Sequence, residues 1–218
     1  MNVLIAGAGR LGTRVAQVLT AAGNEVTLVD VDEDRVEALR GQCDARLLVG
    51  DAGEQAVQAR AGTAHADLVI AATGRDEDNL VISYLAKRRF AAPRVVARIN
   101  DDENAWLFDH RWGVDIAVPS ATPLVSLIEE ATGAADTVAL LRLSTAGVGI
   151  IETAITARSK AAGRLLGDIR LPEGTLVATV VRDGNPTAPS PSTRLQPGDE
   201  LLLVSHSAEE QEIHAAFQ

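Results

Sequence analysis

The sequence predicts an α/β chain: a Rossmann-like, doubly wound parallel sheet followed by a small α+β domain. Three observations carry that expectation. Short, continuously apolar segments alternate with helical patterns through the first 120 residues, as strands covered on both faces by helices do. The first apolar segment runs into Gly7-Ala8-Gly9-Arg10-Leu11-Gly12, and an acid, Asp30, ends the second. Beyond Gly133-Ala134-Ala135 the alternation stops and strand patterns dominate.

Strands are expected at 2–6, 26–29, 46–49, 67–71, 94–98 and 115–118, too continuously apolar for a sheet with one wet face. Helices fit between them at 11–22, 33–40, 54–60, 78–89 and 103–112. Asp32 is placed to cap the second helix, and Asn100, with Glu103 three residues on, the fifth. Gly23 and Gly62 stand where helices should stop. Right-handed β-α-β crossovers then make the sheet parallel. A further helix is expected at 121–132, with Pro123 tolerated in its first turn. Next come strands at 138–143, 150–156, 176–182 and 200–205, with turns at 183–186 and 197–199 and a loop over 187–193. Helical stretches there are confined to 165–167 and 209–217. No internal repeat or low-complexity tract is evident.

Composition removes several classes of function. An apolar fraction of 46% with 23% charged residues is that of an ordinary globular chain. The formal net charge of −10 is shared by both parts of the sequence, so neither reads as a basic nucleic-acid module or a binder of anionic membrane surface. Cys43 is the single cysteine; it allows no internal disulfide or Cys-rich zinc site and is expected to be a small buried apolar residue. The N-terminus enters a strand without a signal-peptide pattern, and no apolar run reaches the ~18 residues of a membrane span.

The glycine run is placed where a dinucleotide fingerprint works, between a strand and a helix. Gly7 allows the tight turn, Gly9 lets backbone approach a pyrophosphate, and Gly12 lets the helix pack closely on the strand. The helix N-terminus then meets the phosphates. Asp30 lies where a carboxylate accepts hydrogen bonds from ribose hydroxyls and repels a 2′-phosphate, which favours NAD(H) or an adenine nucleotide over NADP. Arg10 in the turn, Asp51-Ala52 after the third strand, Thr73-Gly74 after the fourth and Arg98 at the end of the fifth form a ring at strand C-terminal ends. Two arginines converging there suit a polyphosphate.

Catalytic equipment is sparse. The second domain has His206 and His214, one lysine, Lys160, and neither cysteine nor tyrosine. Tyr84 and Lys87 approximate a dehydrogenase pair, but they sit one turn apart on an expected helix and read as a helix-face pairing. His65, His110, His206 and His214 lack metal-ligand spacing, and no P-loop run is present. Asp101-Asp102-Glu103 is accounted for by a helix dipole, and Glu129-Glu130 by a solvated face. No catalytic or metal-ligating residue is assigned.

The chain resembles the regulatory subunits of bacterial Trk/Ktr-type potassium uptake systems, built from an RCK (KTN) nucleotide-binding domain and an RCK C-terminal domain. The motifs are the glycine run, Leu28–Asp32, Val49-Gly50-Asp51-Ala52, the segment 66–73, Asp78-Asn79 and Ala97-Arg98-Ile99, then 162–167, 171–174 and 195–199 in the second domain. The resemblance implies a nucleotide-binding domain at 1–120, a linker helix at 121–136 and a C-terminal domain at 137–218. It implies a cytoplasmic, nucleotide-sensing regulator, peripheral to the membrane, that docks on a separate potassium-transporting pore and assembles with itself or a related RCK subunit. NAD(H) or ATP/ADP would be the ligand: Gly7, Ala8, Gly9, Arg10, Leu11 and Gly12 holding phosphates, Asp30 the ribose, Asp51 and Ala52 the adenine end, and Arg98 a phosphate, with Thr73 after the fourth strand counted among the cofactor-binding residues. Some relatives bind a cyclic dinucleotide in the second domain, where the stretch 187–193 departs from the usual glycine-containing turn. An NAD-dependent oxidoreductase with an unrecognised substrate site is the competing class, and a regulator of some other transporter shares every site residue.

Overall fold

The computed structural model describes residues 1–143 and 147–218, with the backbone alone for Glu130, Arg142 and Leu143. The chain divides into two compact units, Met1–Ala121 and Thr122–Gln218.

In the first unit β1 (Asn2–Ala6), α1 (Arg10–Ala21), β2 (Glu25–Asp30), α2 (Glu33–Ala38), β3 (Arg46–Val49), α3 (Gln55–Ala61), β4 (Leu68–Ala71), α4 (Asp76–Arg89), β5 (Val95–Ile99) and β6 (Ile116–Pro119) follow in order. The strands form one sheet in the order β3-β2-β1-β4-β5-β6, every pair parallel. β1 is buried from Val3 to Ala6 because both of its sheet faces are covered, which is why its sequence is continuously apolar rather than alternating. After β3 the chain crosses to the far side of β1 and resumes at β4. That reversal opens a crevice beyond the carboxyl ends of β1 and β4.

Local chemistry sets the boundaries. The Asp32 carboxylate accepts the Arg35 amide at 3.0 Å and caps α2, as expected, and Gly62 ends α3 with φ +87°. The expected helix at 103–112 does not form. Two 3-10 turns, Asp102–Leu107 and His110–Trp112, replace it. Asp101 and Asp109 each accept an amide two residues on, from Glu103 at 3.0 Å and Arg111 at 2.8 Å. Such local side-chain bonds compete with α-helical ones and restart the chain. Asn100 is accordingly not the cap; its side chain goes to Asp76.

The second unit comprises α5 (Thr122–Thr132), β7 (Thr137–Leu143), β8 (Val148–Ala154), β9 (Thr175–Arg182), β10 (Asn185–Thr187), β11 (Glu200–Ser205) and α6 (Glu210–Phe217). The sheet runs β10-β9-β11-β8-β7, all antiparallel. Ile213 and Phe217 of α6 are fully buried with Leu195, Leu201 and Leu203. The expected turn at 183–186 is tighter than anticipated. Asp183 and Gly184 both have positive φ, 50° and 73°, the two-residue hairpin turn that matches strand twist. Asn185 therefore already pairs with Arg182, and the expected loop over 187–193 begins only after Thr187, which ends β10. Pro186 is tolerated because β10 is an edge strand. Cys43 is half-buried beside the core of the first unit, and the Glu130 side chain of the Glu129-Glu130 pair lies outside the described residues.

Candidate functional site

The glycine turn is built by close approach. Gly7 has φ +105°, and a Cβ on it would stand 2.8 Å from the Ala72 carbonyl oxygen. A Cβ on Gly12 would meet the Gly7 carbonyl oxygen at 1.8 Å, so α1 packs directly on the turn. At Gly9 no atom lies within 4 Å of a built Cβ; nothing in the protein requires glycine there, and open space is left over the backbone. The turn is clamped to both neighbouring strands, with the Gly7 amide donating to the Val29 carbonyl and the Ala72 amide to the Ala6 carbonyl, both at 2.8 Å. The first intrahelical bond, Thr13 N–H to the Gly9 carbonyl, leaves the Arg10, Leu11 and Gly12 amides without an intrahelical acceptor.

Around this turn lies a cleft of about 520 Å³, within the range of sites for small molecules. Gly7, Gly9, Arg10, Leu11, Asp30, Asp51, Ala52, Thr73 and Arg98 all line it, so one crevice gathers residues from β2, β5, the start of α1 and the loops after β1, β3 and β4. Ala8 and Gly12 do not line it. Ala8 is buried and its amide is spent on Asp30 Oδ2 at 2.6 Å, while Gly12 is buried beneath the turn. Their place in the motif is to shape it.

Four arginines reach the cleft, two free and two engaged. Arg10 is exposed with no ionic partner among the described residues, and Arg98 has its Nε buried without a hydrogen-bond partner. Arg75 is held by Glu77 at 2.5 Å and Asp78 at 3.7 Å. Arg35 is held by Asp30 at 3.2 Å and Asp32 at 3.1 Å. Two unspent guanidinium groups, Arg10 at the α1 N-terminus and Arg98 on β5, favour an anionic, phosphorylated ligand.

Beneath the floor lies a polar network that sequence reading left without a task. Asn79, fully buried, accepts from the Thr73 amide at 2.9 Å and hydroxyl at 2.8 Å, and donates to the Arg98 carbonyl at 3.0 Å. It ties the end of β4 to the strand carrying Arg98. Asp76 accepts from the Asn100 amide (2.7 Å) and side chain (3.0 Å), the Asp101 amide (3.0 Å) and the Asn104 side chain (2.9 Å). Burial pushes its carboxyl up, but the bonds from Asn104 and from the Asn100 and Asp101 amides outweigh that and leave it below the ordinary value. An acid and an amide in the first turn after an apolar strand were the available signal.

Tyr84 and Lys87 do not pair with each other. The Tyr84 ring meets Trp112 edge-on at 6.2 Å, and the Lys87 ammonium binds the Asp115 carboxylate at 2.7 Å. Partners outside the helix replace the expected helix-face pairing. Neither residue lines the cleft, and no His, Cys, Lys or Tyr does among the described residues. No group of three metal-ligating side chains occurs among them either.

A sheet of this order with a glycine turn at its switch point, joined to a small antiparallel domain, defines a two-domain protein of nucleotide-binding type. The chain belongs to the TrkA family: the TrkA-N domain matches residues 3–120 and the TrkA-C domain residues 150–218. It is 37% identical over 213 residues to the Trk system potassium uptake protein TrkA of Mycobacterium tuberculosis, covering 98% of this chain and 96% of that protein. Among solved structures, the GsuK channel bound to NAD matches 98% of this chain with a TM-score of 0.60 at 20% identity, a likeness of fold; this chain spans only 38% of that one. The AMP-bound Kef CTD of Shewanella denitrificans matches 67% of this chain and 86% of that chain at 26% identity, with a TM-score of 0.53. No helix among the described residues is long and apolar enough to cross a membrane.

Proposed function

We propose that this chain is the nucleotide-sensing regulatory subunit of a potassium uptake system, acting at the cytoplasmic face of the membrane on a separate pore subunit. The observation that carries the reading is the cleft itself. It has unspent arginines, Arg10 at a helix N-terminus and Arg98 on β5, and a carboxylate at the end of β2, but no His, Cys, Lys or Tyr among the described residues at its wall. NAD(H) or ATP/ADP is the ligand. Its phosphates lie at the α1 N-terminus near Arg10 and Arg98, its ribose near Asp30, and its adenine end near Asp51 and Ala52. Two or more copies, or a copy and a related RCK subunit, associate to act on the pore.

Gating requires that ligands bind two arrangements of the assembly unequally. Arg10 and Arg98 supply the inequality, because their contacts grow with the number of phosphates. Calorimetry of the purified chain with NAD, NADH, ATP and ADP tests the site: at least one saturable isotherm is expected, and absence of binding by all four overturns the reading. Incubation with NADH and a panel of quinones and carbonyls is expected to show no steady oxidation. Turnover there would restore the oxidoreductase class.

A further inference from the structure

The ribose end of the cleft is arranged in a way the phosphate site does not use. Asp30 is 7% exposed. Its Oδ2 accepts the Ala8 amide at 2.6 Å and its Oδ1 the Asp32 amide at 2.9 Å. Arg35, in α2, places Nη1 3.3 Å from Oδ1 and 3.2 Å from Oδ2. An ionised carboxylate offers about four acceptor positions, and these contacts fill them. A ribose diol therefore reaches Asp30 only by displacing the guanidinium. Asp30 is also no bare anion, since Arg35 compensates the charge that would repel a phosphate on the 2′-oxygen. Arg35 lines the cleft and its side chain is 48% exposed. Only the Arg35 end of the pair is half-exposed, and it also rests on the exposed Asp32 at 3.1 Å; if it swings away, Asp30 keeps its two amide bonds, and the planar fork it frees matches a phosphate monoester.

We propose that Arg35 is a specificity-determining residue for the ribose 2′-position. It competes with an unphosphorylated diol for Asp30 and turns to hold a 2′-phosphate, so that the chain accepts NADP(H) as well as NAD(H). The inference runs against the expectation that Asp30 favours NAD(H) over NADP, and it rests on the reading of the cleft as a nucleotide site.

The test is calorimetry of the full chain, wild type and Arg35→Ala, with NAD and NADP, beside thermal unfolding to establish that the variant is folded. The wild type is expected to bind the two within about tenfold of each other, and the variant to raise the ratio of the NADP to the NAD dissociation constant about tenfold, the loss of one charge-assisted contact. Most of the change falls on NADP, with NAD equal or tighter. Arg35→Lys, which keeps the charge but not the fork, is expected to lie between. A ratio unchanged within about twofold in Arg35→Ala, or a wild type that binds NAD but not NADP, overturns the proposal. Failure of NAD, NADH, ATP, ADP and NADP alike to bind the wild type overturns instead the nucleotide reading beneath it.

Discussion

Gly12→Ala and Gly9→Ala form a pair in which one motif yields opposite outcomes. The Cβ added at Gly12 would stand 1.8 Å from the Gly7 carbonyl oxygen and 3.0 Å from its carbonyl carbon. Both are backbone atoms, so no rotamer relieves the clash. Gly7 cannot retreat, because it is bonded to the Val29 carbonyl and already lies against Ala72. Helix α1 must instead lift by more than an ångström, unpacking Ala16, which is fully buried against the core of β1 and β2. Overpacking of cores costs 1–3 kcal/mol; a backbone collision belongs at the upper end, about 3 kcal/mol. At about 4 °C per kcal/mol for a domain of this size, the first unit should melt about 12 °C lower. At Gly9 nothing lies within 4 Å of a built Cβ and φ is −70°. Gly9→Ala should therefore leave the ligand-free melting temperature within about 2 °C, a few tenths of a kcal/mol. It should nonetheless weaken nucleotide binding about tenfold or more, because the methyl group enters the space a pyrophosphate takes. Thermal unfolding without ligand and calorimetry with it read the two effects separately. If Gly9→Ala binds as the wild type does, or melts as low as Gly12→Ala, the assignment of structural and ligand roles to the two glycines is wrong.

Arg10→Ala should preserve binding of the adenosine moiety while narrowing the gap between ATP and ADP affinities by about tenfold; calorimetry with both nucleotides checks this, and equal losses contradict it. Asp76→Ala should destabilise the first unit by about 3 kcal/mol at neutral pH, since it removes the acceptor of four hydrogen bonds, as chemical denaturation would measure. Because the folded Asp76 carboxyl titrates below its ordinary value of 3.8, its contribution is complete above that pH and disappears as pH falls through the lower folded value. Wild-type stability should thus decline more steeply than that of Asp76→Ala below about pH 4; parallel acid profiles would refute the linkage. Asp199 behaves with the same sign in the second unit. Burial raises it, but the hydrogen bonds from Arg182 and from the Gln196 amide, with the Arg182 charge, together outweigh that and lower it, and Asp199→Asn should flatten the acid profile of that unit.

The sequence by itself determined the fold class and the chemistry of one surface. Alternation of apolar strands with helices specified the parallel sheet, since strands covered on both faces cannot carry polar residues at every second position. The glycine run at a strand–helix junction specified the tight turn at the sheet's switch point, because Gly7 and Gly12 answer local steric requirements visible in spacing alone. The loop breaking the expected helix at 103–112 was less legible: its aspartates look like helix-start residues until their side chains are seen closing local turns.

Only the tertiary structure decided which polar residues act together. Asn79 and Arg98 lie far apart in sequence, as do Asp76 and Asn104, and their coupling depends on strand order rather than on any local pattern. Ala8 and Gly12 belong to the motif yet lie beneath the cleft, because the chain curls so tightly that their own contacts are internal. The pairing of Arg35 with Asp30 was equally hidden. An arginine at the start of an exposed helix reads as surface charge until the fold shows that its guanidinium is spent on a buried carboxylate at the cleft wall. Periodicity encodes burial, which is local; the pairing of charges across elements depends on distances that the sheet fixes after the chain has folded.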